Sequence, residues 1–231
     1  MNDNFYIVGK NSVLDAVKNN YPIQEIYVNN INKIINEFRN CRVMNKDFFD
    51  KFSNMNHQGY IAKIKPPSIY ELSIINKEKP SKILILDHIQ DVGNFGAILR
   101  SANAFNFNYI IFPKDRCAKL TPQVLKISSG GFTNMKFIQV SNIASTLNYL
   151  KDEGYWIYAS GFGEKSISLE KVNFNNQIAL VIGNEEKGCS VPVIKNADVL
   201  VNVNMYGSVQ SLNASVATGI LMYEITRRKH N

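Results

Sequence analysis

Residues 203–223 read VNMYGSVQSLNASVATGILMY. In the second half, Leu212, Val216, Ala217, Ile220, Leu221, Met222 and Tyr223 place apolar side chains around nearly the whole circumference of a helix. That pattern predicts a helix enclosed by protein. The first half is crowded with Gly207, Ser208, Gln210, Ser211 and Asn213. Small polar residues suit a tight loop ending at a helix N-terminus, where free N–H groups and a positive dipole end favour anions and polar ligands. An ordinary capping loop has the same composition, so the neighbouring elements must decide.

Upstream of this helix, apolar runs rich in β-branched residues lie at 83–86, 109–112, 156–159, 179–182 and 199–203. Helical periodicity falls near 94–105, 122–127, 143–153, 191–196 and 212–228. Strands that are apolar on both faces and alternate with helices predict an α/β fold whose mostly parallel sheet is covered on both sides. Ligands of such sheets sit beyond the carboxyl ends of the strands.

Three loops at that edge are rich in glycine and polar side chains. After residues 83–86 comes DHIQDVGNFGAILRSANAF, in which Phe95, Ile98, Leu99, Ala102 and Phe105 share one helical face and Arg100 points away from it. Arg100 is either a solvated surface residue or part of a site built by the loop, with Asn94 at the helix start as cap or ligand. After residues 179–182 comes GNEEKG, where Gly183 either permits close approach of a ligand or only makes a turn. The third loop is the stretch quoted first. SGFG at 160–163 follows a strand but is too short to identify anything.

Farther toward the N-terminus, residues 1–66 alternate shorter elements, with helical pieces near 12–18, 31–38 and 46–52 and strands near 25–28, 41–44 and 59–64. They predict a small α/β module. Pro66, Pro67 and Pro80, with the polar run 76–82, break the periodicity and mark a linker over 69–81, separating a module of residues 1–68 from a domain of 82–231.

The chain has 231 residues and a formal net charge of +7. The excess of Lys and Arg admits a polyanionic partner such as nucleic acid. Cys41, Cys117 and Cys189 are widely spaced and predict free thiols rather than a disulfide framework or a zinc site. His57, His88 and His230 show no metal-ligand spacing, and GxGxxG, Walker and HExxH motifs are missing, which removes the usual fingerprint of a nicotinamide-dependent oxidoreductase. The opening MNDNFYIVGKN lacks a basic start followed by an apolar run, so a cytoplasmic location is expected.

Taken as an ordered set, NFGAILRSA at 94–102, VIGNEEKG at 181–188 and NMYGSVQSLNASVATG at 204–219 closely resemble the three motifs of the SPOUT superfamily, TrmH (SpoU) branch. YIVGKNSVLDAV at 6–17, HQGYIAKIKP at 57–66 and FPKDRCAKLTP at 112–122 are similar to the RlmB type, which modifies a guanosine of 23S rRNA. The resemblance implies an RNA ribose 2′-O-methyltransferase that uses S-adenosyl-L-methionine, a ribosomal-protein-like RNA substrate-binding domain, and a homodimer. It also implies a trefoil knot, which periodicity alone would never suggest.

Carried over by position, the resemblance makes Gly183, Val203, Leu212, Met205 and Gly207 cofactor-binding and Asn94, Arg100, Glu185, Ser211 and Asn213 catalytic, with no metal. Arg100 would hold a phosphate and stabilise developing alkoxide charge, because a guanidinium stays protonated at neutral pH. Glu185 would orient Arg100 or take the proton, and Ser211 and Asn213 would hold the ribose or the arginine. Val92 and Asn204 stand where the family commonly has proline. A tRNA target, or a non-catalytic RNA-binding assembly factor of the same fold, are the alternatives. The intact catalytic set argues against the assembly factor.

Overall fold

A computed structural model describes residues 5–36, 38–163 and 165–229, which leaves His230 outside the described residues. The chain divides into two compact units, residues 1–67 with 119–134, and residues 68–118 with 135–231.

The first unit contains β1 (Phe5–Val8), α1 (Lys10–Lys18), β2 (Ile23–Val28), β3 (Cys41–Val43), α2 (Lys46–Asp50) and β4 (Tyr60–Ile64). Its sheet runs β1-β4-β2-β3, antiparallel except for the β2–β3 pair. One core cluster unites Val8, Tyr27, Phe49 and Ile61, with Phe48 and Phe52 packed against it. Among the described residues of 31–38 the expected helix does not form. A single 3-10 turn, Ile31–Lys33, is capped by the Asn30 side chain and ends where Ile34 becomes extended.

Residues 119–134 group with this unit although the sequence-drawn boundary assigns them to the second domain. They carry α5 (Pro122–Ile127), which packs on β1 with Val124 and Leu125 fully buried. The Phe132 ring meets Tyr21 edge-on at 5.0 Å, and Asn134 donates to Asn19.

The second unit begins with β5 (Ile69–Tyr70) and α3 (Ile74–Glu78), inside the stretch expected to be a linker. Both belong to the folded body, since β5 pairs with a sheet strand and Ile75 is fully buried. There follow β6 (Lys82–Asp87), α4 (Val92–Ala104), β7 (Tyr109–Pro113), β8 (Lys136–Val140), α6 (Ile143–Asp152), β9 (Trp156–Ser160) and β10 (Ile167–Ser168). The last elements are β11 (Ile178–Gly183), α7 (Val191–Asn196), β12 (Val199–Asn202) and α8 (Ala214–Lys229). The eight strands form one sheet, order β10-β12-β9-β11-β6-β7-β8-β5, and every pair is parallel.

The central strands β6 and β11 are buried at every position, as expected of strands covered on both faces. On one face Ile83, Ile85, Ile111, Ile138, Ile157 and Val181 pack with Leu147, Leu150 and Val193 of α6 and α7. Phe95, Ile98, Leu99 and Ala102 are the buried face of α4, and α4 packs against α8.

The final helix is not enclosed by its own chain. Thr218, Leu221, Met222 and Ile225 are buried, but Val216, Ile220 and Tyr223 are 49%, 37% and 54% exposed, at i, i+4 and i+7 on one stripe. An all-round apolar helix requires cover without specifying which chain supplies it. At its far end α8 is pinned by Lys82, whose ammonium donates to the Phe105 carbonyl at 2.6 Å and to Thr226 at 3.3 Å. Among the described residues, no helix is long and apolar enough to cross a membrane.

Candidate active site

Asp91 begins the site. Its carboxylate accepts the Asn94 N–H at 2.6 Å and caps α4, so Val92 occupies the first helical position. Proline is favoured there because the N–H is unpaired in any case; in this chain the Asp91 cap holds the helix start. Asn94 is therefore not the cap, and its amide is free to reach outward.

The loop after β11 folds back on itself. Asn184 and Gly188 exchange two backbone hydrogen bonds, and Gly188 adopts φ 66. A Cβ on Gly183 would run into the backbone of Gly188 and Cys189, so this glycine is required by the loop's own closure. The Asn184 side chain braces the turn: its carbonyl accepts from the N–H groups of Glu186 and Lys187, and its amide donates to the His88 carbonyl and to Glu185 Oε2.

These constraints bring Glu185 to Asn94 and Asn94 to Asn213. Asn94 Nδ2 donates to Glu185 Oε1 at 2.6 Å, and Asn213 Nδ2 donates to Asn94 Oδ1 at 2.8 Å. Asn213 Oδ1 meanwhile accepts the N–H groups of Ser215 and Val216, which caps α8. One asparagine thus fixes the start of the helix and the orientation of the Glu185–Asn94 pair.

Arg100 stands apart from this chain of bonds. It is exposed on α4 and forms no ion pair among the described residues, and Glu185 is oriented by Asn94 and Asn184 instead. Ser211 is exposed on the rim of the adjoining pocket.

That pocket has a volume of about 420 Å³ and lies between the carboxyl ends of β9, β11 and β12 and the loop leading into α8. Ile182, Val201, Val203, Leu212, Ala217 and Leu221 make its walls apolar. Gly183, Val203, Met205 and Leu212 all line it; Gly207 does not. Ser160, Gly161 and Phe162 form a wall that sequence reasoning missed. The only signal was SGFG after a strand, and it became informative once β9 was seen beside β11.

Where proline is common, Asn204 donates to Ser168 Oγ at 2.9 Å and accepts from Asn202 at 3.0 Å. Two side-chain bonds here restrain the loop that a pyrrolidine ring would otherwise stiffen. Cys189, buried behind the glycine loop, is a free thiol pushed up to about 12 by burial, so it is not a nucleophile at neutral pH.

Residues 81–223 match the family described as the SpoU rRNA Methylase family, and residues 6–70 match the domain described as RNA 2′-O ribose methyltransferase substrate binding. A Staphylococcus aureus (strain COL) protein named as a TrmH family tRNA/rRNA methyltransferase is 33% identical over 240 residues, spanning 97% of this chain and 96% of that one. Among solved structures, a TrmH family protein from Porphyromonas gingivalis superposes with TM-score 0.80 at 25% identity, covering 98% of this chain and 90% of that one. The AdoMet-bound rRNA methyltransferase of Sinorhizobium meliloti shares the fold, with TM-score 0.81 at 21% identity over 98% and 88% of the two chains.

Proposed function

The chain belongs to the SpoU (TrmH) family of RNA methyltransferases, and from that membership we propose that it methylates a ribose 2′-hydroxyl, on a guanosine of 23S rRNA, using S-adenosylmethionine. The observation that carries the proposal is the bonded series Glu185–Asn94–Asn213 beside an apolar pocket at the carboxyl edge of a parallel sheet. A pure RNA binder has no need of a carboxylate held by two amides.

The pocket suits the methyl donor by size and by character. About 420 Å³ falls in the usual range for small-molecule sites, and apolar walls with a few polar groups at the mouth suit an adenosine joined to an amino-acid tail. Gly183, Val203, Met205 and Leu212 are the residues that would hold it. S-adenosylmethionine supplies a methyl group already activated on a sulfonium, so no metal is needed.

The protein's task is alignment and charge. Positioning a hydroxyl for attack can contribute up to roughly 7–11 kcal/mol in favourable cases. Glu185 accepts the hydroxyl proton, and Asn94 and Asn213 keep its carboxylate aimed. Arg100, which forms no ion pair among the described residues, holds the flanking phosphate and stabilises the developing alkoxide. Ser211 holds the ribose from the pocket rim. The N-terminal module, which matches the substrate-binding domain, holds the RNA.

We extend the proposal to a homodimer, with a second copy covering the Val216–Ile220–Tyr223 stripe, and to the trefoil-knotted threading of the third motif; the cytoplasm is the proposed location. The test is incubation of the protein with methyl-labelled S-adenosylmethionine and unmodified total RNA, followed by mapping of ribose methylation. Label at one guanosine of 23S rRNA supports the whole proposal. Label in tRNA keeps the chemistry and overturns the target, and label on bases rather than riboses overturns the chemistry.

A further inference from the structure

A second concavity, of about 450 Å³, opens at the same carboxyl edge of the sheet and is lined by His88, Pro113, Asp115, Arg116 and Ser141. Its walls come from the ends of β6, β7 and β8, where a parallel sheet presents ligand-binding loops. Two of its five lining residues have left-handed backbone, His88 at φ 64 and Arg116 at φ 56. Such conformations are uncommon outside glycine and gather at functional sites.

The imidazole is held from behind. Asp87 is 1% exposed; its Oδ1 lies 2.6 Å from His88 Nδ1, and its Oδ2 accepts the Ser190 N–H at 2.6 Å. A carboxylate can only accept, so Nδ1 carries a proton, which leaves Nε2 as the ring's second hydrogen-bonding atom. Arg116 is exposed and has no ion pair among the described residues. Asp115 lines the same cleft, so its wall carries an acidic group beside the cationic one.

The cleft is also tied to the reacting groups. The Asn184 amide that meets Glu185 at 3.3 Å also donates to the carbonyl of His88 at 3.2 Å. Resting on the assignment of this chain as an RNA methyltransferase, we propose that the His88–Arg116 cleft holds one ribose–phosphate unit of the substrate RNA flanking the methylated nucleotide. Arg116 donates its fork to the phosphate, and His88 Nε2 hydrogen-bonds the ribose 2′-hydroxyl, the group that distinguishes RNA from DNA.

The test measures binding of the full chain to unmethylated 23S rRNA transcript and to total tRNA at several salt concentrations. It compares the wild type with Arg116→Asn and His88→Asn, since asparagine tolerates left-handed backbone. For Arg116→Asn the expected loss is about 5–10-fold in RNA affinity, with the slope of log K against log salt shallower by about 0.7–0.9. For His88→Asn affinity falls with the slope unchanged, because its contact is to a hydroxyl rather than to a phosphate. S-adenosylmethionine affinity stays within about twofold in both, since neither side chain lines that pocket. Wild-type affinity and slope in both variants would overturn the cleft assignment while leaving the enzyme assignment intact. A parallel loss of S-adenosylmethionine affinity would also overturn it, by showing a structural role. A wild-type protein that binds neither RNA would overturn both.

Discussion

Asn213 performs two tasks with two different atoms, and a single substitution separates them. Its Oδ1 caps α8 and its Nδ2 holds Asn94 at 2.8 Å. Asn213→Asp retains the cap acceptor, and a carboxylate at a helix N-terminus is favourable by about 0.3–1 kcal/mol. The same change replaces the donor to Asn94 Oδ1 with a second acceptor. Losing the neutral bond costs about 0.5–1.5 kcal/mol, and the opposed oxygens add to it. A total of about 1.5–3 kcal/mol in transition-state stabilisation lowers kcat by roughly 10–150-fold. Asn213→Ala loses both tasks, so it should show a similar kcat defect together with a cap loss of about 1 kcal/mol. In a chain of this size that loss lowers Tm by about 2–4 °C. Methyl transfer to RNA at saturating substrates and thermal melting in the same buffer read the two tasks separately. If Asn213→Asp turns over within about twofold of wild type, Asn213 does not orient the reacting set. If it melts as low as Asn213→Ala, the cap assignment is wrong.

Three further outcomes follow from the same geometry. Arg100→Ala should lower kcat about 100–1,000-fold, with S-adenosylmethionine affinity unchanged because Arg100 does not line the pocket; near-normal turnover would remove it from the chemistry. Asn184→Ala takes one of two amides from Glu185 and should reduce kcat about 2–12-fold, with turnover equal to wild type refuting its bracing role. Glu224 is held down to about 2 from 4.5 by hydrogen bonds from Arg227 and Arg228; its folded value is depressed, so it stabilises the fold above pH 4.5 and that contribution fades as pH falls toward 2. Acid titration of Glu224→Gln should therefore lose less stability over that interval than wild type does, and superimposable curves would exclude the carboxylate.

Much of this fold is legible because local chemistry and tertiary role agree. The apolar period of α4 puts Phe95, Ile98, Leu99 and Ala102 inside and Arg100 outside, as found. The strand Lys136–Val140 is not legible, because Lys136 and Gln139 interrupt its apolar run. Lys136 is satisfied by the Glu78 carboxylate and sits over the rings of Tyr70 and Tyr109, partners from distant positions. The linker expectation fails for a similar reason, since the prolines and polar residues around Ile75 hide one fully buried anchor. In the site, Asn94, Glu185 and Asn213 could be nominated from sequence, but not the order of their bonds. Neither the bracing by Asn184 nor the tie from Asp87 to the Ser190 N–H has any signature in spacing, since each joins groups about 100 positions apart.

The first unit is made from two stretches of chain, residues 1–67 and 119–134. The match to a substrate-binding domain covers only residues 6–70 and so describes part of the physical object. A chimaera that exchanges the N-terminal segment between relatives would carry β1 away from the helix that covers it, exposing Val124, Leu125 and Phe132 on the recipient. Modular exchange in this protein therefore needs two cassettes moved together, and drift in either segment is constrained by the other across more than 50 intervening residues.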